Sequence, residues 1–307
     1  MHMSSKRCAA LLVMLGGLTG GCAVNYPGAT PAGQAEATLS ALDPGYVLRA
    51  HMKRQHHGPA PREAILQLAP SGKLRAAINL GNPILATRNR QTGEPEGVSV
   101  DISRELARHL GVPLEVVVYT AAGKVVEGIK ANAWDIGFFA IDPVRAADTD
   151  FTGPYVIIEG AYLVPNNSPI RRNADVDRAG NRVAVGKGSA YDLYLTRELK
   201  QATLVRAPTS QAVTDLAVAQ KLDVAAGVKQ QLQADAQRVP GMRLLDGRFM
   251  EIRQAMAVPK GRPEGLRYLA GFVEDLKASG FVAEALKRHG IEGAEVAPMS
   301  EGSAAAH

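Results

Sequence analysis

Between residues 74 and 289 short β-branched runs alternate with helix-period segments, and this alternation constrains the fold more than any other feature of the chain. Residues 74–78 read as a strand. Ile102, Leu106 and Leu110 recur every four residues and predict a helix ending at His109–Gly111. Residues 114–119 (LEVVVY) suit a buried strand, 124–131 return to helix period, and 135–140 are strand-like again. After Asn166-Asn167-Ser168-Pro169 the pattern restarts, with strands at 182–185, 203–206 and 223–226 and helices at 191–200, 211–220 and 230–238. A strand at 252–258 and helices at 264–278 and 282–289 close the chain. Such alternation calls for α/β architecture, with mainly parallel sheets flanked by helices. Two series, a turn-rich break between them and a return near 250 predict two lobes and a hinge. Lobe one is expected at 67–165 plus 252–292 and lobe two at 166–251, with hinge crossings at Val164–Ser168 and Met250–Arg253.

The two cysteines, Cys8 and Cys22, fall within the first 22 residues, so the remainder can form no disulfide, thiolate zinc site or cysteine nucleophile. Lys6 and Arg7 precede an apolar stretch at 8–18 that is too short to span a bilayer, followed by Leu18-Thr19-Gly20-Gly21-Cys22. This order predicts a signal peptide over 1–21 and export to the periplasm. The small residues before Cys22 resemble a lipoprotein cleavage site, which would make Cys22 an acylated N-terminus; ordinary secretion with cleavage near Ala23 is the alternative. Residues 22–66 read as a lipid tether and N-terminal arm, and 293–307 as a disordered tail rich in Ala, Gly and Ser. His51, His56 and His57 lie in the arm among basic residues, a solvated face without the ligand spacing of a metal site. Neither a metal nor a cofactor is expected. The net charge of +5 comes from scattered Lys and Arg residues, and aromatics are only 5%. Without a basic run or stacking platforms, nucleic acid is disfavoured as a partner.

Several short motifs, in order, resemble bacterial extracellular solute-binding proteins of ABC importers, the family typified by polar amino-acid binders. Gly97-Val98-Ser99-Val100-Asp101-Ile102 resembles the opening of that family's first long helix. Trp134-Asp135-Ile136, Asp142-Pro143-Val144-Arg145 and Asp150-Phe151-Thr152-Gly153-Pro154-Tyr155 resemble its next three motifs. Tyr162-Leu163-Val164 resembles the outgoing hinge strand, and Val183-Ala184-Val185-Gly186-Lys187-Gly188-Ser189 the anion-binding turn of lobe two. The resemblance covers about 67–292. It implies a two-lobed periplasmic-binding-protein (venus-flytrap) fold without catalysis, closing as a monomer on a small-molecule solute and docking on ABC permease and ATPase subunits at the inner membrane.

The residues themselves carry part of that chemistry. Gly188 and Ser189 stand between a strand and a helix start, where free N–H groups suit an anion; taken alone the turn is equally a tight bend with a cap. Arg145 follows a strand end on the crevice side of an α/β sheet and can clamp a carboxylate with its planar fork, or pair with a nearby Asp. Asn79 and Asn82 follow the first strand and are candidates to hydrogen-bond a solute, although the segment is also turn chemistry. Phe139, Tyr191 and Gln254 are further candidate ligand contacts, with at least one of Phe138 and Phe139 expected in the core. Trp134 is expected to pack at its strand start. Asp142 stands where the resembled motif carries Thr. Val228 stands where the family places the acid that binds an α-ammonium. An ammonium desolvated opposite a valine is costly, so the expected solute is an organic acid or amino-acid derivative. An enzyme resembling cyclohexadienyl dehydratase is the alternative; Asp142, Glu159 or Asp192 would then supply acid–base chemistry.

Overall fold

The computed structural model describes residues 59–300; Cys22, the three histidines of the arm and residues 301–307 lie outside them. The N-terminal helix α1 (Arg62–Leu68) leads into strand β1 (Leu74–Asn79). Next come the short antiparallel pair β2 (Thr87–Arg88) and β3 (Pro95–Glu96), helix α2 (Val98–Leu110), β4 (Leu114–Tyr119), α3 (Ala122–Lys130) and β5 (Ile136–Ala140). A 3₁₀ turn at Arg145–Ala147 precedes β6 (Thr149–Pro165). The second half comprises β7 (Arg182–Gly186), α4 (Ala190–Glu198), β8 (Thr203–Ala207), α5 (Val213–Ala219), β9 (Val224–Val228), α6 (Lys229–Arg238) and β10 (Met242–Leu244). Then β11 (Met250–Pro259) returns to the first half, followed by α7 (Pro263–Ala278), α8 (Phe281–Arg288) and β12 (Glu295–Val296).

The strands form a continuous sheet in the order β4-β1-β5-β11-β6-β9-β7-β8. β1 runs parallel to β4 and β5, and β7 runs parallel to β8 and β9, so each half has the expected parallel centre. The halves meet along β6, a single strand of 17 residues. Its first part pairs antiparallel with β11 over Thr149 to Gly160; from Gly160 to Leu163 it pairs with β9, and Leu163 to Pro165 pair with β10. The change of partner thus falls at Gly160, upstream of the Asn166-Asn167-Ser168-Pro169 break.

Helix α2 shows why the sequence folds locally as it does. Val98, Ile102 and Leu106 line one face and are wholly buried. The helix stops at Gly111, whose φ of 67° turns the chain so that the Val112 N–H reaches the carbonyl of Ala107 at 3.1 Å. Helix α7 begins with Pro263 at its first turn, where the missing N–H costs nothing.

Three expectations need correction. β4 is the edge of the sheet and every residue in it is half-buried, so its apolar run is not a buried central strand. The last residues of the expected arm, 62–66, are helical and packed: they form most of α1, and Ala64 is buried there. The expected disordered tail is ordered at its start, because β12 pairs with Val156 and Ile157 of β6 and Ala297 N–H donates to Tyr155 O. Beneath this strap Lys277, buried, donates to the carbonyls of Pro154 and Pro298 and pairs with Glu274 at 2.8 Å. Glycine and alanine masked the strap in the sequence, since its order comes from backbone pairing rather than side-chain burial.

Candidate functional site

Arg145 opens the 3₁₀ turn after β5 and is only 2% exposed. Its Nη1 donates to Ala140 O at 2.9 Å, closing the turn on its own strand. Its Nη2 donates to Gly188 O at 3.0 Å, in the opposite half of the molecule. The guanidinium carbon lies 5.5 Å from the ring centroid of Phe139, close enough for a cation–π contact. Among the described residues its Nε has no hydrogen-bond partner. Burial pushes its pKa down to about 10, partly offset by the charge of Asp142, so it remains a cation at neutral pH.

Asp142 does not form the direct partner of Arg145. Its Oδ1 accepts the Val144 N–H at 2.8 Å, and its Oδ2 pairs at 2.9 Å with Arg197 of α4, again across the halves. Asp192 is similarly committed. It accepts the Gly188 N–H at 2.8 Å and pairs with Arg206 at 2.9 Å, while its own N–H donates to the Ser189 hydroxyl at 3.0 Å. The donors expected from the Gly188-Ser189 turn are therefore largely engaged within the chain: Ser189 caps α4, its N–H donates to Gly186 O, and Asp192 takes the Gly188 N–H.

The halves touch elsewhere along this seam. Gln211 Nε2 donates to Leu80 O at 3.0 Å. Gly188, at φ 70°, lies so close to Gly123 of α3 that a Cβ on it would be 2.9 Å from the Gly123 Cα. Asn79 ends β1 and accepts the Gly81 N–H with its Oδ1, a local turn bond; the Oδ1 of Asn82 is buried without a hydrogen bond among the described residues. Gln254, buried in β11, is the sheet partner of Ala140, whose carbonyl holds Arg145.

The remaining candidates occupy other roles. Phe139 packs with Trp134 and Phe151, while Phe138 faces the other side of the sheet against Tyr155; both are core. Trp134 is wholly buried and donates to Val125 O at 2.8 Å. Tyr191 lies beneath Gly186 in the core, where burial raises its hydroxyl pKa. Val228 pairs with Gly160 at the changeover of β6. Sequence reasoning missed Gly123, Arg197, Arg206 and Gln211. Arg206 carried a signal, near the end of a parallel strand on the crevice side; the partners of Arg197 and Gln211 lie in the other half, beyond any local pattern.

A groove of about 570 Å³ lined by Pro165, Ala217, Val218, Leu222 and Met242 lies at the amino end of β9, whereas the seam lies at the carboxyl ends of β7 and β5. Ligands of open α/β sheets bind at carboxyl ends, so the seam and not the groove is the candidate site. Among the described residues no group of His, Cys, Asp and Glu could hold a metal, and no helix is long and apolar enough to cross a membrane.

Residues 74–292 match the bacterial extracellular solute-binding proteins, family 3, and the chain belongs to that family. No curated protein matches the sequence. Among solved structures, the ancestral amino acid-binding protein AncCDT-1, a precursor of cyclohexadienyl dehydratase, is 20% identical with a TM-score of 0.63, covering 74% of this chain and 99% of its own. The solute receptor for L-cysteine of Neisseria gonorrhoeae is 24% identical with a TM-score of 0.63, covering 74% of this chain and 92% of its own. The substrate-binding protein AbpA of Streptococcus pneumoniae, bound to L-arginine, is 19% identical with a TM-score of 0.62, covering 73% and 98%. The chain has their two-lobed periplasmic-binding-protein fold.

Proposed function

We propose that the protein is the solute-capturing component of an ABC importer and that it takes a small carboxylate-bearing solute, an organic acid or amino-acid derivative, by lobe closure. The observation that carries this reading is Arg145: a buried cation in the seam, with a spare Nε–H donor and no ion pair among the described residues. A buried charge without a partner is costly, and a solute carboxylate would supply one. Lobe one is assigned to 67–165 plus 252–292 and lobe two to 166–251, with Gly160 and the facing Met250 of β11 at their junction. The family's extracellular setting supports a periplasmic receptor that delivers its solute to permease and ATPase subunits; the residue order before Cys22 supports acylation there, and we take the receptor to act as a monomer.

Val228 argues against an unmodified α-amino acid, because it offers no charge to an ammonium. Calorimetric titration with small organic acids and with the standard amino acids tests the reading. Arg145→Ala is expected to weaken the binding of a carboxylate roughly 30-fold or more, as removal of a buried charge partner typically costs ~2–5 kcal/mol. Tight binding of a standard amino acid, undisturbed by Arg145→Ala, would overturn it.

A second reading, a periplasmic enzyme resembling cyclohexadienyl dehydratase, draws on the likeness to the precursor of that enzyme. The acids it would use are all paired: Asp142 with Arg197, Asp192 with Arg206, and Glu159 with Lys229 and Arg248. Hydrogen bonds from Lys229 and Arg248 hold the Glu159 carboxyl below its ordinary pKa, which makes it a weak base. Formation of an aromatic product from prephenate or arogenate would favour the enzyme.

A further inference from the structure

We infer that the seam holds a second anionic group at the amino terminus of α3, so that the solute is a small organic dianion. The inference rests on the solute-binding reading above. Helix α3 has 9 residues and begins at Ala121, which offers no side-chain cap, and its first turn contains no acid. Lys124 stands there instead, a cation at the end of the helix where the dipole is already positive. The N–H groups of Lys124 and Val125 bond to Ala121 O; those of Ala122 and Gly123, at the start of the helix, have no intrahelical acceptor and are the orphan donors among the described residues. Helix α4, across the seam, differs because Ser189 and Asp192 serve its first turn.

Gly123 and Arg145 both adjoin Gly188. A Cβ on Gly188 would be 3.4 Å from Gly123 N, and it is the carbonyl of Gly188 that accepts Arg145 Nη2. The buried Nε without a partner belongs to that same guanidinium. The local charge balance agrees. Arg197 and Arg206 already neutralise Asp142 and Asp192, whereas Arg145, Lys124 and Lys187 form no ion pair among the described residues. One carboxylate would answer Arg145 alone, and a second negative charge would answer the bare helix terminus and its lysine. Dicarboxylates and phosphonates share this chemistry.

The test is calorimetric titration of the purified protein with two pairs: succinate and its monoamide succinamate, and ethylphosphonate, above its second ionisation, and propionate. Each dianion is expected to bind at least tenfold more tightly than its monoanionic counterpart, with the tighter dianion identifying the source of the charge. Lys124→Glu is expected to weaken dianion binding about tenfold and succinamate less than threefold, through the charge at the helix end. Ala121→Asp would put an internal carboxylate on the orphan N–H groups. Folded, as its melting curve verifies, it is expected to lose the preference. Monoanions that bind as tightly as dianions, or a preference that survives both variants, overturn the inference and leave the carboxylate reading intact. Absence of binding by all four compounds counts against both.

Discussion

Arg145 donates through Nη2 to the carbonyl of Gly188, so the cation proposed to hold a solute carboxylate also joins one half of the molecule to the other. Gly188 has left-handed backbone geometry, and its Cα faces Gly123 with no side chain between them. The proposed closure would thus bring backbone to backbone at a point where Gly188 has no room for a side chain.

The two glycines are not equivalent. An added Cβ on Gly188 would meet the Gly123 Cα at 2.9 Å, at a φ of 70°. An added Cβ on Gly123 would meet the Gly188 Cα at 3.4 Å, an ordinary contact. Gly188→Ala is expected to fold but to stay open, with solute affinity reduced tenfold or more and no compaction on solute addition by small-angle scattering. Gly123→Ala is expected to compact like the parent. Compaction of Gly188→Ala would show that the contact does not limit closure.

The bridge from Arg197 to Asp142 should act as a latch. Arg197 is 38% exposed, which holds its contribution to about that of a surface pair, ~0–1 kcal/mol, but Asp142 is buried and loses the one ion-pair partner it has among the described residues when Arg197 is removed. Arg197→Ala should therefore speed solute release several-fold, and Asp142→Asn should remove most of that effect in the double variant. Stopped-flow dissociation rates that simply add would exclude the coupling.

How far this site was legible in the sequence depends on distance along the chain. Strands β1, β5, β7, β8 and β9 and the helices α2 to α6 announced themselves within a few residues, because their apolar periods are local. The position of Arg145 followed from a strand end. Its bond to Gly188 could not, since 43 residues separate them and the contact exists only once both lobes form. β6 contains two of the resembling motifs, 150–155 and 162–164, yet β11, β9 and β10 pair with it on either side and keep it one continuous strand.

The strap over α7 makes an acid-dependent prediction. Burial raises the pKa of Glu274, but hydrogen bonds from Lys277 and Ser300 outweigh it and leave the carboxyl below its ordinary 4.5. A depressed carboxyl stabilises the fold above the unfolded value and loses that contribution as pH falls through the folded one. Glu274→Gln should lower Tm at neutral pH, and the difference from the parent should shrink below about pH 4.5. An equal difference at all pH values would mean that the carboxylate charge is not what the strap uses.

Acylation can be tested in cells. The charged, apolar and small-residue order before Cys22 predicts membrane anchoring. Cys22→Ser should move the protein from the membrane fraction to the soluble one or block its processing. Unchanged fractionation and migration would favour ordinary secretion.

The length of β6 has a consequence for how the molecule melts. Two lobes joined by flexible linkers unfold as two events, each with its own enthalpy. Here one 17-residue strand is the spine of both, and pulling it from either lobe strips hydrogen bonds from the other. Scanning calorimetry should therefore record a single endotherm whose calorimetric and van't Hoff enthalpies agree. The receptor would hinge in two pieces and come apart as one.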